Sequence, residues 1–129
     1  MKTYSLKENL IPYFQNNSNI LLVYLFGSST GSNTGPLSDL DCGIYTDKVM
    51  DYIAEFKMAH EIGEILDFFK IHVVNLNRAF PALKYNVIHG EILFCRDEKI
   101  RIDFESKALN EYLDFLPVLK QKRKELAYG

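Results

Sequence analysis

Seven consecutive apolar residues, Ile-Leu-Leu-Val-Tyr-Leu-Phe at positions 20–26, carry no polar face. A strand apolar on both sides belongs inside a sheet rather than at an open surface. It stops at Gly27-Ser28, and the stretch after it, positions 29–38, holds Gly31, Gly35 and Pro36 among small polar residues. That composition reads as a loop, with room for a short helical turn at its start. The apolar run is also far short of the ~20 residues a membrane-spanning helix needs. Positions 39–45, Asp-Leu-Asp-Cys-Gly-Ile-Tyr, then alternate, placing Asp39, Asp41 and Gly43 on one face and Leu40, Cys42 and Ile44 on the other. This predicts a second strand with one side on the core.

The elements around this pair follow from period and punctuation. Ser5-Leu-Lys-Glu8 has the form of a capping box, and Leu6, Leu10 and Phe14 follow at helical spacing, predicting a helix over 6–15. Asp47 is positioned to cap a second helix with Val49, Ile53, Phe56, Ile62 and Leu66 as its apolar stripe. A strand is expected at 71–76. A helix opened by Asn77 follows, with Pro81 in its first turn and Gly90 at its end. A fourth strand is expected at 91–95 and a long helix at 98–124, striped by Phe104, Ala108, Tyr112, Phe115 and Leu119 and kinked at Pro117. The expected fold is α/β (α+β): a small mixed sheet with helices packed against it, one domain spanning 1–129.

Charge and cysteine content narrow the function classes. Net charge is −2 over 129 residues, so the phosphate grip of a nucleic-acid binder is not expected. The basic group Lys120, Lys122, Arg123 and Lys124 reads as charge set against the negative end of a helix dipole. Cys42 and Cys95 are the two cysteines, without a CxxC or paired histidines, which argues against a zinc site and for a reduced, cytoplasmic protein. The N-terminus is not followed by an apolar signal-peptide core.

The chemistry-bearing pattern is Gly27-Ser28, ten residues, then Asp39-Leu40-Asp41. Residues i and i+2 of a strand point the same way, roughly 6.6–7 Å apart. Two carboxylates so placed repel unless a cation lies between or beside them. Mg²⁺ takes one or two carboxylates and leaves its other positions to water and phosphate oxygens. Gly27 lets a backbone approach a phosphate without a Cβ in the way, and Ser28 adds a hydroxyl and an N–H.

Gly-Ser-x10-Asp-x-Asp, with Ser38 directly before Asp39, resembles the signature of the polymerase-beta-like nucleotidyltransferase superfamily. The length is similar to that of its minimal nucleotidyltransferases, the MNT proteins. The segments VVNLNRAFPALKYNVIHGEILF (73–94) and EYLDFLP (111–117) resemble later family stretches, so the likeness covers about 21–117. The resemblance implies Asp39 and Asp41 as Mg²⁺ ligands and catalytic residues. It implies Gly27, Ser28 and Ser29 as the turn that binds the ATP triphosphate. It sets His72 where the superfamily carries a third catalytic carboxylate, with Asp67 or Glu64 as substitutes if the strand starts earlier. Where family members often place basic residues after the Gly-Ser, this chain has Ser29, Thr30, Gly31 and Ser32.

Many MNT proteins are antitoxins of HEPN-domain toxins, and in the best understood pairs AMP is transferred from ATP to a toxin tyrosine. The resemblance therefore implies a Mg²⁺-dependent protein adenylyltransferase antitoxin. The alternatives are an MNT-fold protein that neutralises a HEPN partner by contact alone and, third, a transferase acting on a small molecule. Self-association is left open, and no membrane partner is expected.

Overall fold

The computed structural model describes residues 3–27 and 39–128. Helix α1 (Thr3–Asn16) leads into strand β1 (Ile20–Phe26), followed by β2 (Leu40–Thr46) and helix α2 (Tyr52–Leu66). Strand β3 (Ile71–Asn75), helix α3 (Pro81–Ile88), strand β4 (Glu91–Cys95) and helix α4 (Glu98–Tyr128) complete the chain. The four strands form one mixed sheet in the order β3-β2-β1-β4. β1 runs antiparallel to both β2 and β4, while β2 and β3 are parallel, with α2 as the crossover between them.

Strand alternation sends side chains into two separate cores. Val23, Leu25, Cys42, Ile44 and Leu93 pack with Leu6, Leu10 and Phe14 of α1 and Met58, Ile62 and Leu66 of α2. On the other face, Leu22, Tyr24 and Val74 pack with Leu76, with Val87 of α3 and with Phe104 of α4. The sheet is thus covered on both sides, which is why β1 is apolar throughout.

Several local expectations are corrected. Ser5 lies within α1, which begins at Thr3, and is not its cap. α2 starts later than expected because Asp51, not Asp47, caps it: the Asp51 Oδ1 accepts from the Ala54 N–H at 2.8 Å. The Asp47 N–H instead donates to the Asn19 carbonyl, so that residue is spent tying β2 to the turn before β1. The buried stripe of α2 is Met58, Ile62, Gly63 and Leu66, while Val49, Ile53 and Phe56 are exposed. Shifting the start of the helix changes which residues face the sheet.

Asn77 does not open α3, whose first residue is Pro81 with Phe80 before it. Proline at that position has its φ preset and lacks an N–H that would be unpaired anyway. Asn77 instead accepts from the Thr46 N–H and hydroxyl and donates to the Thr46 carbonyl. Asn75 adds a bond to the Met50 carbonyl at 3.0 Å. These two amides lock the far ends of β2 and β3 together.

Cys42 is buried and Cys95 partly so, and both are free thiols. Gly43, expected on the acidic face, is buried there beneath α3: a Cβ at that position would lie 2.8 Å from Val87 Cγ1.

Candidate active site

Two registers converge on Asp41. The antiparallel pairing of β1 and β2 sets Phe26, the last residue of β1, opposite Asp41. The parallel pairing of β2 and β3 sets His72 opposite the same residue. The start of β2 is pinned by the Leu40 N–H, which donates to the Lys70 carbonyl at 2.8 Å. Asp41 shares its strand face with Gly43 and Tyr45, and Tyr45 packs on Phe104 of α4, ring centroids 4.6 Å apart. The carboxylate therefore lies on the α3/α4 side, at the edge where that cover ends.

Asp41 is only partly exposed, at 21% of its side chain, whereas His72 is 66% exposed. His72 Nδ1 lies 3.3 Å from Asp41 Oδ1. Gly27, directly after β1, adopts φ +72°, the left-handed region that glycine enters without steric cost. A Cβ there would fall 2.7 Å from Asp41 Oδ2. The missing side chain leaves the room in which one carboxylate oxygen sits, and His72 flanks the other. Asp39 is exposed and shares parity with Asp41, one residue before the strand begins.

Ser28 and Ser29 lie outside the described residues. Asp67 and Glu64 are removed from the strand by where β3 begins. Asp67 ends α2 in a left-handed conformation (φ 51°), and Glu64 pairs with His60 at 2.8 Å on an exposed helix face. Of the three candidates for the third position, His72 alone stands on β3 across from Asp41.

No group of three or more His, Cys, Asp or Glu side chains among the described residues is arranged to hold a metal ion. What Asp39 and Asp41 present at this edge is carboxylate oxygen. That donor set suits Mg²⁺, which completes its shell with water and substrate phosphate oxygens.

The support beneath the site was not visible in sequence. The Tyr24 hydroxyl, below it on β1, donates to Glu105 of α4 at 2.5 Å, and burial beside that carboxylate pushes the phenol well above its usual range. Within α4, Arg101 pairs with both Glu105 and Glu98, and the Tyr24–Glu105 bond is what ties that helix to the sheet. Neither the Leu40–Lys70 bond nor the Tyr24–Glu105 bond has a sequence signal, because each depends on tertiary register.

Residues 8–99 match the family described as Polymerase beta, Nucleotidyltransferase. The chain belongs to that family and carries its nucleotidyltransferase domain. Comparison with curated protein sequences finds no match.

Among solved structures, the fold is similar to a chain of the tri-AMPylated Shewanella oneidensis HEPN toxin in complex with MNT antitoxin. The TM-score is 0.77 at 20% identity, covering 98% of this chain and 99% of that one. A toxin-antitoxin structure with AMP-PNP gives a TM-score of 0.81 at 21% identity, covering 94% and 98%. The toxin-antitoxin MntA-HepT gives 0.78 at 20%, covering 96% and 98%. The fold is thus shared with a chain of each of these toxin-antitoxin complexes. No helix among the described residues is long and apolar enough to cross a membrane.

Proposed function

We propose that this protein is a Mg²⁺-dependent adenylyltransferase that silences a HEPN-domain toxin by transferring AMP from ATP to a toxin tyrosine. The observation that carries the reading is the meeting of Gly27, Asp41 and His72 at the ends of three adjacent strands within a nucleotidyltransferase domain. The AMPylated toxin in a structurally similar complex supports the choice of group and acceptor.

In this reading Asp39 and Asp41 hold the ion, and Gly27, Ser28 and Ser29 receive the triphosphate. Magnesium, when bound, supplies positive charge against the phosphate oxygens. The tyrosine oxygen attacks the α-phosphorus of ATP, the bond to the bridging oxygen breaks, and pyrophosphate leaves. His72 accepts the tyrosine proton. With Nδ1–H donated to Asp41, its Nε2 carries the free lone pair that a general base needs. The protein's share of the catalysis is positioning and charge stabilisation.

A second reading rests on His72 itself. A neutral imidazole at the third-acid position brings no negative charge, which fits an antitoxin that works by contact alone. Mass spectrometry of the HEPN partner after incubation with ATP and Mg²⁺ decides between them. AMP adducts are expected from the wild type, with a loss on the order of 10²–10⁴ in rate for His72→Ala and retained transfer for His72→Asp. Toxin neutralised without any adduct, even by an Asp39→Asn/Asp41→Asn protein, would establish the contact mechanism. A small-molecule acceptor would show as AMP transfer with no partner present.

A further inference from the structure

The chain packs only one side of its longest helix. α4 runs 31 residues, about 46 Å at 1.5 Å per residue. Phe104 and Ala108 face the sheet, and Tyr112 stacks on Tyr85 of α3 with ring centroids 3.9 Å apart. Phe115, Leu116 and Leu119 are still half-buried, and beyond them the support ends: every residue from 120 to 125 is exposed. Pro117 also interrupts this half, removing the N–H that would reach the Leu113 carbonyl. A helix segment this short and broken is marginal without a packing partner.

A second row, apolar except at Ser106 and Lys120, lies about a third of a turn away from the packed one. It comprises Ile102, Ser106, Leu109, Leu113, Leu116 and Lys120, with spacings that alternate four and three throughout. That is the seam pattern of a coiled coil. Ile102 is 58% exposed, Leu109 42% and Leu113 53%. The row is continuous with the unsupported end, and it is symmetric. An antiparallel register that sets Leu109 against the partner's Leu113 also sets Ser106 against the partner's Leu116 and Ile102 against the partner's Lys120.

We infer that α4 pairs with α4 of a second copy of this chain in that antiparallel register. Charge selects the direction. The segment 98–105 holds Glu98, Asp103 and Glu105 against Lys99 and Arg101, while 120–124 holds Lys120, Lys122, Arg123 and Lys124 with no acid. Antiparallel pairing lays the basic end over the acidic start twice, and opposes the helix dipoles. Parallel pairing would set basic end on basic end and Lys120 on Lys120 in the seam. Antiparallel, each Lys120 stem covers an Ile102 while its ammonium reaches solvent. The contact is isologous, so it closes as a dimer. It does not depend on whether the protein transfers AMP.

Sedimentation velocity on the full chain without a partner protein tests it. A concentration-dependent monomer–dimer equilibrium is expected, weakened by salt. Leu113→Asp should weaken it by about a hundredfold or more with an unchanged circular dichroism spectrum. Register is read in a Cys95→Ser background. Leu109→Cys and Leu113→Cys proteins mixed together should crosslink faster than either alone. A wild type that stays monomeric, a dimer that survives Leu113→Asp, or self-crosslinking of Leu109→Cys as fast as the mixture would each overturn the inference. So would a monomeric wild type whose binding to a HEPN partner is lost in Leu113→Asp, which would give the row to that partner.

Discussion

Replacing Gly27 by alanine separates the stability of the fold from the placement of a single carboxylate. Two costs arise. The backbone at φ +72° is disfavoured for a side chain bearing a Cβ, by about 1–2 kcal/mol. Part of that is offset, by about 0.4–1 kcal/mol, because alanine narrows the unfolded ensemble. The new methyl would also sit 2.7 Å from Asp41 Oδ2. The clashing atom is the far end of a side chain, so the carboxylate swings aside, at about 0.5–1.5 kcal/mol for a displaced rotamer.

The net loss is about 1–3 kcal/mol, and the melting temperature should fall by about 4–10 °C for a domain of this length. Function should suffer far more. A carboxylate moved by ~1 Å costs on the order of 10² in rate. The assay pairs thermal melting, with and without ATP and Mg²⁺, with transfer to a HEPN partner. In an Asp41→Ala background the clash is gone, so the stability cost of Gly27→Ala should shrink by about 1 kcal/mol. Full transfer and a full ATP–Mg²⁺ melting shift in Gly27→Ala would refute the reasoning. So would a destabilisation above ~4 kcal/mol, which would mean the turn is rebuilt and not merely crowded.

Asp41→Asn should abolish the rise in melting temperature that ATP with Mg²⁺ gives the wild type, since a ligand bound only by the folded state acts through mass action; an equal shift in both would place the nucleotide elsewhere. Arg96→Ala should cost about 2–3 kcal/mol and about 8 °C. Its guanidinium caps the end of α1 by donating to the carbonyls of Phe14, Asn17 and Ile20 at 2.9, 3.0 and 2.8 Å, and a loss below 1 kcal/mol by urea titration would contradict that role. Burial, with Asp41 adding to it, pushes the Cys42 thiol from its ordinary 9.0 up to about 12. The folded state keeps that proton longer than the unfolded one. Its stabilisation is therefore complete below pH 9 and is lost as pH rises toward 12. Cys42→Ala should flatten the alkaline decline in stability by up to about 1.4 kcal/mol per pH unit, and native wild type should leave Cys42 unlabelled by thiol reagents at neutral pH.

The parts of the fold legible in sequence are those fixed by local pattern. β1 and β4 begin and end where expected because turn residues bound an apolar run on each side. The start of α2 was not legible, because Asp47 and Asp51 are equally good caps on paper. The choice is made by a distant acceptor, the Asn19 carbonyl, which takes the Asp47 N–H. Asn77 misled for the same reason: an amide that could open a helix is used to bind Thr46 across strands. At the candidate site, the placement of Gly27 after β1 and of Asp41 near the start of β2 could be read from residue type and spacing. That His72 faces Asp41 could be read only through family resemblance, since parallel register across a helical crossover leaves no mark in the sequence.

Arg96 has a further consequence, which lies in the order of synthesis. The side chain that closes the end of α1 sits 82 positions after Phe14, whose carbonyl it binds. A ribosome adding roughly 5–20 residues per second takes on the order of ten seconds to cover that distance. Through that interval Leu6, Leu10 and Phe14 have neither their terminal clasp nor Leu93 and Phe94 of their core. Helix α1 is made well before the residues that secure it. A nascent chain stalled before residue 96 would display that apolar face to chaperones and proteases, whereas one released beyond it could bury it.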